Sequence, residues 1–312
     1  MAWPEPQALA ARAVAAVAAG RSLSQALPQV LQAELPPRLR AAVQDLSYGT
    51  LRHYTRLGAY LEALAPRPVT DDLVRALVLV GLYELFAARA PQHAAVHQTV
   101  EAARSLDKPW AAGFVNGVLR NYLRRQGELK ARVERRDTTR FSYPRWWIDR
   151  LRRQYPDRYR ALLEVGLGHP PMTLRVNLRR IDREAYQASL RRAGLDSQPV
   201  GRAGLRLLQP VPVEALPGFA EGLVSVQDAG AQHAAEWLDL APGQRVLDAC
   251  AAPGGKTAHI LETADVELLA LDRDPRRLAR VQENLDRLGL RADVRAGDAA
   301  RPQDWWDGRP FQ

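Results

Sequence analysis

Residues Arg245 to Glu262 read RVLDACAAPGGKTAHILE, and the fold class of the C-terminal part follows from them. A short apolar run, Val246 and Leu247, ends in Asp248; a Pro-Gly-Gly turn follows, and a helix carrying Ile260 and Leu261 opens behind it. Strand, glycine turn and helix in that order begin a parallel, helix-covered sheet. The paired Gly254 and Gly255 let backbone amides come close to a ligand at the helix N-terminus, where partial positive charge favours a carboxylate or phosphate.

Two nucleotide motifs are excluded here. Gly-Gly-Lys-Thr suggests a Walker-type phosphate loop, but that loop needs a glycine five residues before Gly255, where Cys250 stands. No G-x-G-x-x-G occurs, so the dinucleotide fingerprint is absent as well.

Toward the C-terminus the next strand, VELLALD, ends at Asp272, seventeen residues after Gly255. A carboxylate at that strand end can accept both hydroxyls of an adenosine ribose. Asp274 caps, Pro275 opens and Gly289 closes the following helix, with Leu278, Val281, Leu285 and Leu288 as its buried stripe. A third strand, ADVRAGD, ends at Asp298, placed to reach an adenine amino group. Each of Asp248, Asp272 and Asp298 alone would read as a cap or turn residue. At three consecutive strand ends, after a Gly-Gly turn, they mark the ligand crevice of an open α/β sheet.

Toward the N-terminus, the strand–helix alternation reaches back to about Gly222. Before it, TLRVNL (Thr173 to Leu178) and LRLLQP (Leu205 to Pro210) read as strands and Asp182 to Arg192 as a helix, a small α/β connecting unit. Residues 1 to 126 read as helices throughout. Ser22 and Thr70 stand where N-caps belong, and Gly20 and Gly49 where helices should stop. Leu73 to Phe86 is apolar on nearly every face, as in a central helix. Phe114, Val118 and Tyr122 form one stripe beside Val115 and Leu119. Three regions result: an all-α bundle (1–126), a basic linker with the α/β connector (127–221), and an α/β cofactor domain (222–312).

Charge is uneven along the chain. Of 312 residues, 46% are hydrophobic and 25% charged, with a net charge of +9 and a pI of about 10.1, which points toward an anionic partner such as nucleic acid or an acidic membrane, with an Arg-rich background composition as an equal alternative. Arg120 to Arg160 holds fourteen Lys/Arg against five Asp/Glu, a surplus of nine that equals the excess of the whole chain. Interleaved with them are Tyr122, Phe141, Tyr143, Trp146, Trp147, Tyr155 and Tyr159. Guanidinium groups neutralise phosphates and aromatic faces stack on unpaired bases, so Arg124, Arg125, Arg135 and Arg136 are candidate RNA contacts. Several of the aromatics are expected in a core instead.

Other classes fall away. One cysteine, Cys250, and six histidines exclude a disulfide framework and disfavour a zinc site, and a reducing cytoplasm suits that usage. Arg12 interrupts the Ala-rich N-terminus, which has no basic leader before it. The apolar segment 73–86 contains Arg75 and Glu84 and is too short for a membrane span.

DACAAPGGKT resembles the cofactor motif of the RNA cytosine-5 methyltransferases, and QDAGAQ (Gln227 to Gln232) resembles the segment that precedes it. HAAVHQTVEAAR and GFVNGVLRNYLR resemble the RNA-binding NusB domain. FSYPRWWIDRL and PPMTLRVN resemble the connecting segment of the bacterial small-subunit rRNA methyltransferases of the RsmB/Fmu/Sun family. The resemblance implies a NusB-like bundle, a connector and a Rossmann-like methyltransferase domain, of which the first half is present. It further implies S-adenosylmethionine as cofactor, 16S rRNA as partner and methylation of carbon 5 of one cytosine, in a monomer that needs no metal. By motif position Cys250, Ala251, Ala252, Pro253, Gly254, Gly255 and Lys256 would cradle the methionine part, Asp272 the ribose and Asp298 the adenine.

In that family a thiolate attacks carbon 6 of the base and makes carbon 5 nucleophilic, and the family's Pro-Cys and Thr-Cys motifs lie on later strands than the third. Cys250, in the cofactor turn, is expected to face cofactor or core and to be no nucleophile, and the first strand is expected to be an exposed edge. These 312 residues alone are therefore expected to be inactive. Two other readings remain at this stage. One is an RNA-binding, antitermination-like module with an incomplete cofactor domain; the other is a nucleotide hydrolase acting through Gly255, Lys256 and Thr257.

Overall fold

The computed structural model describes residues 5–31, 35–88 and 91–312. Apolar periodicity yields α1 (Pro6–Ala18), α2 (Leu23–Val30), α3 (Pro37–Arg52), α4 (Tyr54–Leu64), α5 (Asp72–Ala87), α6 (Gln92–Ser105) and α7 (Ala112–Val133). The all-round apolar α5 is the centre of this bundle. Leu77, Val78, Leu79, Val80 and Leu82 have no accessible surface, and Leu57, Leu61, Leu119 and Tyr122 pack in the same core.

Two boundary residues differ from expectation. Asp71, not Thr70, caps α5: its carboxylate accepts the N–H groups of Leu73 and Val74, both at 3.0 Å. Gly49 lies inside α3 rather than at its end, because the Tyr83 side chain of α5 occupies the space that a Cβ would need. Helix α7 runs on through residue 126, leaving helical geometry only at Arg125 (φ −114°, ψ 16°). Short helices α8 (Asp137–Phe141), α9 (Arg145–Gln154) and α10 (Tyr159–Val165) follow it. Phe141, Ile148 and Leu163 close a small core among them. Contacts divide the chain into two compact units, Met1–His169 and Pro170–Gln312, so the basic segment up to His169 is helical and belongs to the first.

The second unit holds two sheets. Strands β1 (Thr173–Val176), β2 (Ser197–Val200), β3 (Gly204–Leu207) and β4 (Val224–Val226) pair antiparallel in the order β2-β3-β1-β4. Helix α11 (Arg183–Arg192) packs Tyr186 and Leu190 on Leu174, Val176 and Leu205. The strand after Gly222 was expected in the parallel sheet. It joins the antiparallel one, with Leu174 opposite Val226. Three residues carry no signal for their partner, and the free edge of β1 captures them.

Helix α12 (Ala229–Glu236) leads into the parallel sheet of β5 (Arg245–Asp248), β6 (Glu267–Asp272) and β7 (Asp293–Ala296), in the order β5-β6-β7. Helices α13 (Gly255–Thr263) and α14 (Pro275–Leu288) connect its strands. Every expectation for α14 holds: the Asp274 side chain accepts from the Arg276 N–H, Pro275 is first, Gly289 closes at φ +67°, and Leu278, Val281, Leu285 and Leu288 are buried. Strand β5 is a sheet edge, with Gln312 against its first residue: the Gln312 N–H donates to the Arg245 carbonyl at 3.0 Å.

Candidate functional site

The C-terminal ends of β5 and β6 and the loop after β7 meet at one edge of the parallel sheet. Gly254 is the residue before α13, at φ +96°, and a Cβ there would lie 3.1 Å from the Val281 Cα of α14. Glycine is thus required twice, by backbone conformation and by the approach of a second helix. A Cβ on Gly255 would meet nothing within 4 Å, so the turn opens there. No side chain caps α13. The amides of its first turn have no side-chain acceptor, and a helix end of this kind can meet a negatively charged group.

The carboxylate at the end of β6 ties this turn to the sheet. Asp272 is buried, and its Oδ2 accepts the Ala252 N–H at 3.1 Å while Oδ1 accepts the Asp274 N–H at 3.1 Å. Arg277 reaches from α14 to the Ala252 carbonyl (2.9 Å) and lies 3.4 Å from the same carboxylate. Asp248 closes the other side, accepting the buried Thr257 hydroxyl at 2.8 Å. The Gly297 N–H donates to the Asp272 carbonyl at 3.1 Å, which brings the Asp298 loop alongside. Asp298 Oδ1 accepts the Ala300 N–H, and the Asp298 carbonyl accepts the Trp305 indole N–H at 2.8 Å.

Thus Ala251, Ala252, Gly254, Gly255 and Asp272 stand together, with the Asp298 loop beside them. Ala251 and Ala252 are buried, whereas Pro253 and Lys256 are exposed. Cys250 is exposed, so it is not a core residue; the turn carries its side chain outward.

The candidate RNA residues lie in the first unit, and their surroundings differ. Arg125 is held by Glu128 through two hydrogen bonds, at 3.0 and 2.8 Å. Arg124 donates to Asn121. Arg135 and Arg136 are exposed beside Arg145, Arg152 and Arg160 along one groove. Among the aromatics Tyr122 and Phe141 are core, while Trp146 (65% exposed) and Tyr155 (49%) face outward.

Sequence patterns missed the polar layer beneath the Gly-Gly turn. All four residues of β1 are buried, including Arg175, whose guanidinium lies at 2.8 Å from both carboxylate oxygens of Glu262. A charged residue between apolar ones on a strand reads as solvent-facing, and nothing local signals a partner 87 positions away.

His259 of α13 is buried beside this pair, with no hydrogen-bond partner for Nδ1. Burial, and then the charges of Arg175 and Arg202, hold its pKa down at about 4. The unfolded chain takes up that proton near pH 6.5 while the fold refuses it, so the contribution is complete above that pH and is lost as pH falls toward 4. Between pH 7 and 4.5 the native protein is expected to lose about 2–3 kcal/mol through this group. Urea denaturation of the native protein and of His259→Gln across that range measures it. An identical pH slope in the two would refute the assignment.

Comparison with known proteins decides the family. Residues 4–124 match the NusB family, 143–214 the ferredoxin-like domain of RsmF/B-like methyltransferases, and 235–312 the 16S rRNA methyltransferase RsmB/F model. The chain is 47% identical to ribosomal RNA small subunit methyltransferase B of Pseudomonas putida, over 98% of this chain and 72% of that protein. Its identity to the Vibrio cholerae protein of the same name is 46%, over 94% and 68%. The chain belongs to the RsmB/F family. Its fold also resembles the crystal structure of PH0851, with a TM-score of 0.72 at 18% identity, covering 97% of this chain and 71% of that one. The RsmB/F membership agrees with the helical, ferredoxin-like and methyltransferase parts described above. Among the described residues no helix is long and apolar enough to cross a membrane.

Proposed function

We propose that this chain is the RNA- and cofactor-binding part of an enzyme that methylates carbon 5 of a cytosine in small-subunit ribosomal RNA, with S-adenosylmethionine as methyl donor. The observation that carries the reading is the buried Asp272 at the end of the middle parallel strand, hydrogen-bonded to the uncapped Gly-Gly turn, in a chain of the RsmB/F family. The bound cofactor would supply an electrophilic methyl group. Residues Cys250 to Lys256 would cradle its methionine part, with the amides of the first turn of α13 facing the carboxylate. Asp272, whose two oxygens each keep further lone pairs, would accept the ribose hydroxyls. Asp298 would accept the adenine amino group.

Calorimetry is the direct test: S-adenosylhomocysteine is expected to bind this crevice well above ATP. A preference for ATP would return the site to the nucleotide-hydrolase reading.

The RNA partner would meet the basic helices 120–160. Because Arg125 already has Glu128 as a partner, Arg124, Arg135 and Arg136 should contribute most of the phosphate contacts among the four. Replacing all four with Ala is expected to reduce the slope of log K against log salt by about 2–3. An unchanged slope in a folded variant means that these arginines form a solvated face only.

A further inference from the structure

Arg175 is 1% exposed, the largest fully buried side chain among the described residues. Besides its bidentate contact with Glu262, its Nη1 donates to the Gly255 carbonyl at 2.8 Å and to the Gln227 side-chain oxygen. The Gln227 amide lies 3.5 Å from the same carbonyl. Gly255 is the first residue of α13 and Glu262 belongs to its last turn. Seven residues apart, they lie on one helix face.

The helix does not need this arrangement for its own stability. A cation at a helix N-terminus and an anion near its C-terminus both oppose the macrodipole, and burying two charges costs several kcal/mol before their attraction offsets it. What the pair achieves is geometric. One planar group on β1 grips both ends of α13 and, through Gln227, the segment after β4. The first turn of α13, with its free amides, is fixed to a rigid sheet.

We infer that Arg175 is a positioning residue for the cofactor: it holds the first turn of α13 where its amides meet the anionic end of the ligand. The inference rests on the cofactor assignment above. Sites gain affinity when the groups behind the contacting ones are locked, and the Gly255 carbonyl is the atom that Arg175 locks.

The test measures S-adenosylhomocysteine affinity and melting temperature in the full chain. The double variant Arg175→Met, Glu262→Met removes both charges, and replacing a buried ion pair with apolar residues is often neutral or stabilising. Its affinity is expected to fall about tenfold, the worth of one charge-assisted hydrogen bond, with melting unchanged or raised. A merely structural pair would not lower affinity while melting stays unchanged or rises. Arg175→Lys keeps the charge beside Glu262, but one ammonium cannot span Glu262 and Gly255. It is expected to bind several-fold more weakly, with faster amide exchange at Gly255 to Thr257, and it decides the matter where the double variant does not fold. Wild-type affinity in either folded variant overturns the positioning role alone. A wild-type chain that does not bind S-adenosylhomocysteine overturns the cofactor assignment and this inference together.

Discussion

Asp272→Ala is expected to abolish S-adenosylhomocysteine binding, a loss on the order of 100-fold or more. Two hydroxyl groups donating to one carboxylate are each worth about 1.5–3 kcal/mol, and both would be lost. The same carboxylate also accepts the Ala252 and Asp274 N–H groups at 3.1 Å. Its removal therefore frees the turn and leaves the buried Ala252 N–H unpaired, at a further cost to stability of about 2 kcal/mol. Asp272→Asn separates these effects. Its amide oxygen can still accept one N–H, so stability should largely return while affinity stays well below the native value, since a neutral acceptor lacks the charge. Calorimetry on variants shown by circular dichroism to be folded gives the answer. A folded Asp272→Ala chain that binds within about threefold of the native one would remove Asp272 from the site.

These 312 residues by themselves are expected to transfer no methyl group to unmodified small-subunit rRNA. Carbon 5 of cytosine is unreactive until a thiolate has added to carbon 6, and the sequence holds one thiol, Cys250. That thiol is exposed in the turn proposed to hold the cofactor's methionine part, where its neighbours Ala251 and Ala252 are bound to the sheet and to Asp272. Cys250→Ala should accordingly change S-adenosylhomocysteine affinity by no more than about threefold, since a thiol contributes at most a weak hydrogen bond. Tritiated methyl transfer is the readout. Incorporation by the native chain that disappears in Cys250→Ala would make Cys250 the nucleophile and end the present assignment of that turn.

The parallel-sheet half was legible where its determinants are local. Asp274, Pro275, the four-residue stripe and Gly289 specify α14 within fifteen positions, because capping, a fixed φ and a 3.6-residue period act between near neighbours. Gly254 and the ends of β5 and β6 followed from the same short-range chemistry, and so did the central place of α5. Other features were decided only when distant segments met. Gly49 is an interior helical residue because Tyr83 fills the space beside it. Val224–Val226 belongs to the antiparallel sheet because β1 offers an open edge. Cys250 is exposed because of how the turn is pinned by Asp272 and Leu271. Arg175 is the clearest case. Its burial depends on a carboxylate 87 residues away, and the energy of an ion pair depends on distance and surroundings in space, which no periodicity along the chain records.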